Sequence, residues 1–391
     1  MKKFFSIITV AAMMASCGSQ QKGYVVECKI SGLPDSTMVQ LVPVSHMSSK
    51  PMAEAYVKDG KFAFAGEVEQ PTAVRITINE QYPMYDTRMM VANGEKCHLT
   101  ANANLEQNGE KQVYALSDFN VENSPLTDQY RQLLALHDEL DSLHAAFQER
   151  NKEALTAMNE AYAANDAERI KAVKETEAYQ KVMDEEHEFF RTVEDKIYGQ
   201  VLDNKDSYWG PLMLISHTSY LSNDQRDIYE QFSEEAKASS YGKMVFDELY
   251  PAGKVGSPVS KFEGKDINGN DITIEEVCKG KKAVILDFWA SWCVPCRKEI
   301  PNIKEIYTKH HDSGLEIVSV SIDKDDAEWR KAVAEENLKW INIRDVDGSI
   351  AEMYKIIAVP TIYLLGPDGK LAADNLRGAE LAAAVDSIMK Q

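Results

Sequence analysis

Val284-Ile285-Leu286-Asp287-Phe288-Trp289-Ala290-Ser291-Trp292-Cys293-Val294-Pro295-Cys296-Arg297-Lys298-Glu299-Ile300-Pro301 decides the reading of this chain. An apolar run of strand length, Ala283 to Phe288, breaks at Trp289-Ala290-Ser291 and leads into two cysteines separated by two residues. Beyond Cys293 the apolar residues Val294, Ile300, Ile303 and Ile306 fall roughly at helical spacing, which puts the pair in the first turn of a helix. Unpaired backbone N–H groups and the positive end of the dipole at that position favour a thiolate. Cysteines at i and i+3 share one helix face, can close a small-ring disulfide, and so support two-step thiol–disulfide exchange: attack by one thiolate, resolution by the other.

Two other uses of C-x-x-C fail on local spacing. Zinc needs a second Cys/His pair at a suitable distance, and His310-His311 are adjacent residues well downstream. Covalent haem needs His directly after the second cysteine, where this chain has Arg297.

The string Asp287-Phe288-Trp289-Ala290-x-Trp292-Cys293-x-Pro295-Cys296, with Pro301 five residues on, resembles the thioredoxin superfamily. More closely it resembles the TlpA/ResA-like (redoxin, AhpC/TSA-type) membrane-anchored branch. Ala358-Val359-Pro360-Thr361-Ile362-Tyr363-Leu364-Leu365, followed by Gly366-Pro367-Asp368-Gly369-Lys370, is similar to the family's cis-proline strand and hairpin. Gly256-Ser257-Pro258 through Gly280-Lys281-Lys282 is similar to the entry of this branch. The likeness runs from Gly256 to Gln391.

It implies a cis bond before Pro360, with the Val359 backbone exposed beside Cys293 to pair with a substrate strand. Cys293, nearer the helix start and flanked by Trp292, is expected to be exposed and nucleophilic; Cys296, one turn in, is expected to be buried and resolving. Asp287, on the strand before the site, is a candidate acceptor for the resolving thiol's proton, since a buried carboxyl there has a raised pKa. An exposed strand carboxylate is the alternative. Trp292, Val359 and Pro295 form the expected substrate-binding set. Arg297 and Lys298 either assist the thiolate or form a solvated helix face. Lys324 stands near where ResA-like proteins can carry a catalytic carboxylate, with Asp323 and Asp325 as possible substitutes. Cys278 is expected in the core.

The remaining chain is read by composition and period. With 391 residues, 44% apolar and 27% charged, it has room for two or three globular domains. A net charge of −19 argues against a nucleic-acid partner, because phosphate contacts need clustered Lys and Arg. Lys2-Lys3, the short apolar run Phe4 to Met14, and Met14-Ala15-Ser16-Cys17 resemble a lipoprotein signal, with Met where an aliphatic residue is usual. That makes Cys17 the expected lipidation site; a plain cleaved signal peptide is the alternative. Either implies export to a compartment where disulfides form.

The expected layout is a multidomain chain: signal peptide 1–16, tether 17–23, all-β domain 24–122, α-helical region 123–252, and α/β thioredoxin-fold domain 253–391. Alternation at Val26, Cys28 and Ile30 and at Val74, Ile76 and Ile78, with Asp59-Gly60 and Asn93-Gly94 turns, predicts short antiparallel strands. This module resembles the β domain of unknown function that precedes thioredoxin-like domains in many envelope lipoproteins. Cys28 and Cys97 within it are bridged or are two buried free thiols. Asn123-Ser124-Pro125 opens the helical region, with a break expected at Trp209-Gly210-Pro211 and helices from Leu212 to Tyr220 and from Gln225 to Leu249. His137, His144 and His187 lack metal-site spacing.

Together these features predict an envelope-side, lipid-anchored thiol:disulfide oxidoreductase, a reductase by resemblance, without cofactor or metal. Its partners would be disulfide-containing exported proteins and a membrane electron donor. The alternative is a binding or scaffolding lipoprotein whose thioredoxin-like domain is secondary. A thiol peroxidase fits poorly, because Leu286 and Ala290 stand where P-x-x-x-T-x-x-C peroxidases carry Pro and Thr.

Overall fold

The structure is a computed structural model that describes residues 22–46 and 49–390. Cys17 lies outside the described residues. The chain forms two compact units, one running through Val245 and one from Phe246 to Gln391.

In the first unit two four-stranded sheets enclose one apolar core. One sheet orders Lys61–Gly66, Tyr24–Ser31, Lys96–Asn108 and Lys111–Glu122; the other orders Ala53–Tyr56, Met38–Pro43, Thr72–Ile78 and Met89–Val91. The strands are not all antiparallel as expected: Tyr24–Ser31 runs parallel to Lys96–Asn108. Cys28 and Cys97 are buried free thiols on those two strands, and the paired residues are Val26 with Cys97. Such a diagonal places the two Cα atoms roughly 8 Å apart, too far for a disulfide without backbone movement.

Helices follow from Pro125, where the Ser124 hydroxyl accepts the Thr127 N–H and proline fills the first turn. They are tied to the sheets by buried polar contacts: the Met90 N–H donates to Thr127 Oγ1 at 3.0 Å and the Ala73 N–H to the Tyr241 hydroxyl at 2.5 Å. The break expected at Trp209-Gly210-Pro211 falls just before it, between the helices Glu177–Asp203 and Trp209–His217; the tripeptide itself starts the second helix, because a first-turn proline gives up no helical hydrogen bond. The single helix expected from Gln225 to Leu249 is instead Arg226–Glu230, Glu234–Ala238 and Ser240–Leu249. Ser233 and Ser239 interrupt it by bonding the local backbone, with the Ser233 hydroxyl accepting from Ala236 and Ser239 Oγ donating to the Ala236 carbonyl.

The second unit is a mixed five-stranded sheet ordered Ile341–Arg344, Leu315–Ser321, Ala283–Trp289, Thr361–Leu365, Leu371–Asp374. Ala283–Trp289 is central and buried at every position, as a near-continuous apolar strand covered on both faces must be. Alternation divides it. Ala283, Ile285 and Trp289 pack with Ile300, Ile303 and Ile306 of the helix Val294–His310 and with Leu381 and Val385 of the terminal helix Gly378–Met389. Val284, Leu286 and Phe288 pack on the other side with Phe262, Ile350 and Tyr354. Among the described residues no helix is long and apolar enough to cross a membrane.

Candidate active site

Cys293 and Cys296 form a disulfide at the start of the helix Val294–His310. Cys293 is the N-cap: its Sγ accepts the Cys296 backbone N–H at 3.1 Å. Pro301 lies within the same helix, where it cannot donate to the carbonyl one turn back.

The expected contrast in exposure is not observed. Cys293 and Cys296 are each 3% exposed. Cys293 is covered because its Sγ turns inward against the carbonyl oxygen of Val359, at 3.6 Å, and is bonded to Cys296. The residues next to it in sequence carry the exposure instead: Trp292 is 66% exposed and Val294 62%. Pro295 is exposed beside them, and the Val359–Pro360 peptide is cis. The disulfide is therefore bordered by uncovered apolar side chains and by backbone.

The turn Trp289-Ala290-Ser291 is held by Asp323. Its buried carboxylate accepts the Ser291 N–H at 2.8 Å, the Ser291 hydroxyl at 2.7 Å and the Ser321 hydroxyl at 2.6 Å. Asp325 caps the helix Asp326–Glu335 and Lys324 is exposed. Of these three, only Asp323 is joined to the site. Arg297 is anchored as well, with Nε donating to the Ser291 carbonyl at 2.8 Å and a terminal nitrogen 3.2 Å from Glu336.

Asp287 is buried, not an exposed strand carboxylate, and as an odd-numbered residue of its strand it lies on the face of the cysteine helix. Burial pushes its carboxyl up to about 7; a hydrogen bond from Ser319 holds it back and the charge of Glu299 raises it further. Glu299 was not singled out by sequence. The available signal is its place three residues after Cys296, on the same helix face. Its Oε1 accepts from Asn302 and from the Gly378 N–H. Cys278 is buried and free. Among the described residues no three His, Cys, Asp or Glu side chains cluster to hold a metal ion.

A family model described as the AhpC/TSA family matches residues 255–374. Thiol-disulfide oxidoreductase ResA of Bacillus thuringiensis subsp. konkukian is 31% identical over 138 residues, 35% of this chain and 78% of that protein. The chain belongs to the thioredoxin superfamily, in its TlpA/ResA-like branch. It is also similar to the sporulation thiol-disulfide oxidoreductase A of Bacillus subtilis, at 35% identity over 28% of this chain and 67% of that protein. Among solved structures, the thioredoxin domain of a thiol-disulfide oxidoreductase from Bacteroides vulgatus is 34% identical, covering 35% of this chain and 98% of that one with a TM-score of 0.33. This TlpA/ResA-like chain is an oxidoreductase with a C-x-x-C redox pair.

Proposed function

We propose that the protein is an envelope-side thiol:disulfide reductase acting on disulfides of exported proteins. The observation that carries this reading is the Cys293–Cys296 disulfide at a helix N-terminus, beside the Val359 carbonyl and next to exposed Trp292 and Val294. In the reduced protein the Cys293 thiolate attacks a substrate disulfide, forming a mixed disulfide and expelling one substrate thiolate. Cys296 gives its proton to Asp287 and attacks Cys293 Sγ. The internal disulfide forms and the second substrate thiolate leaves. The Val359 backbone and the apolar border hold an extended substrate segment in line with Cys293, with Pro360, Trp292 and Pro295 shaping that surface.

Attachment through acylated Cys17, after removal of 1–16, ties the protein to a membrane, and several acyl chains anchor firmly. Each turnover consumes two electrons, which a donor in the membrane would supply.

The test is covalent trapping. With Cys296→Ser, reaction with disulfide-containing envelope proteins accumulates mixed disulfides through Cys293 that dithiothreitol releases. Cys293→Ser accumulates none. Equal and absent adducts in both variants would favour the scaffold reading.

A further inference from the structure

Asp287, Ser319 and Asn342 stand in one row across three neighbouring strands, Asp287 paired with Ser319 and Ser319 with Asn342. Residues in one row point to one face of a sheet. Hydrogen bonds close the row. Asn342 Nδ2 donates to the Trp340 carbonyl at 2.7 Å and to the Leu338 carbonyl at 3.5 Å, which fixes the turn carrying Trp340. The Trp340 indole Nε1–H donates to Ser319 Oγ at 2.8 Å, and the Ser319 hydroxyl donates to Asp287 Oδ2 at 2.9 Å. All four side chains are buried.

The direction of this chain is forced by chemistry. An indole nitrogen only donates, so Trp340 takes a lone pair of Ser319 and leaves its single proton for Asp287. Turning that hydroxyl away would leave a buried O–H unpaired, a costly state. Asp287 Oδ2 is thus held as an acceptor whether the carboxyl is charged or neutral. Glu299, on the helix packed over the row, is the charged group that acts on Asp287. It repels the carboxylate and does not compete for Oδ2, being bonded to Asn302 and Gly378.

We propose that Ser319 and Trp340 are positioning residues that reserve Asp287 Oδ2 as an acceptor, so that the proton of the resolving thiol is received at Oδ1. The proposal rests on the reading of Asp287 as proton acceptor. In the resolving step the S–H bond of Cys296 breaks and an O–H bond forms at Asp287 Oδ1. The sulfur's electron pair makes the Cys296–Cys293 bond, the bond from Cys293 to the substrate sulfur breaks, and that sulfur leaves as a thiolate that takes a proton from water.

The test uses the full chain labelled at the aspartate carboxyl carbons, with Asp287→Asn identifying the Asp287 signal, and titrates that signal by NMR. The wild-type midpoint is expected at about 7. Ser319→Ala removes the bond that favours the charged form and moves the midpoint up by about one pH unit. Trp340→Phe, which touches neither carboxyl nor hydroxyl covalently, moves it up by less, and Ser319→Thr restores the wild-type value. The pH profile of mixed-disulfide resolution shifts in parallel. Unmoved midpoints in both Ser319→Ala and Trp340→Phe would overturn the proposal. A resolution rate unchanged in Asp287→Asn would instead overturn Asp287 as proton acceptor while leaving the titration result intact.

Discussion

The sulfur of Cys293 lies 3.6 Å from the carbonyl oxygen of Val359, and the side chains on either side of Cys293 in sequence, Trp292 and Val294, are largely exposed. On the proposed reading, a redox sulfur set against the Val359 backbone and uncovered apolar surface would suit an extended polypeptide better than a small molecule.

Trimming that border therefore separates protein substrates from small ones. Trp292→Ala is expected to raise KM for a protein disulfide about tenfold, the usual scale for losing an aromatic anchor. The reduction rate of a small aromatic disulfide stays close to wild type. Steady-state kinetics on the two substrates checks this, and equal losses on both would mean that Trp292 supports the fold of the site and does not contact substrate.

Asp287 makes stability depend on pH. Its folded-state value of about 7 exceeds the unfolded carboxyl's 3.8, so between those limits the folded chain holds the extra proton and stability falls as pH rises. Asp287→Asn removes this penalty. At pH 8 the oxidised variant should gain on the order of 4 kcal/mol in the C-terminal unit, with the gain fading toward pH 4. Denaturant unfolding at both pH values measures it.

The first unit has the opposite dependence. His217 Nδ1 lies 3.2 Å from His137 Nε2, and His217 Nε2 lies 2.6 Å from Gln200 Oε1. Burial, then the nearby His137 and Arg88, push His217 down to about 3. The unfolded chain takes up this proton at about 6.5, so stability is lost as pH falls below that value. Between pH 7 and pH 5 the loss should be on the order of 1–2 kcal/mol, and His217→Gln should flatten it. Thermal unfolding across this range provides the measurement.

The redox site was legible because its signals are local. The Ala283–Phe288 run, the C-x-x-C spacing and the Val359-Pro360 pair each announce one element, and each lies where expected. What sequence did not give was long-range pairing. Nothing in Ser319 or Trp340 marks them as partners of Asp287, since they meet only when three strands align. The burial of Cys293 depends on how the Val359 loop returns to it from 66 residues away. In the first unit, alternation predicted strands but not that Tyr24–Ser31 pairs parallel with Lys96–Asn108, because a strand's period is the same in either direction. At Trp209-Gly210-Pro211 the break lies a few residues earlier than expected, because breaker residues are also good helix starters.

The most direct measurement is the reduction potential of the Cys293–Cys296 pair in the full chain, equilibrated against dithiothreitol and glutathione buffers and read by thiol alkylation. The reductase account predicts a single two-electron couple near the thioredoxin end of the range, at about −270 mV, abolished in Cys293→Ser and Cys296→Ser. A potential near −120 mV, where the pair would oxidise its partners, or no couple at all, would contradict it.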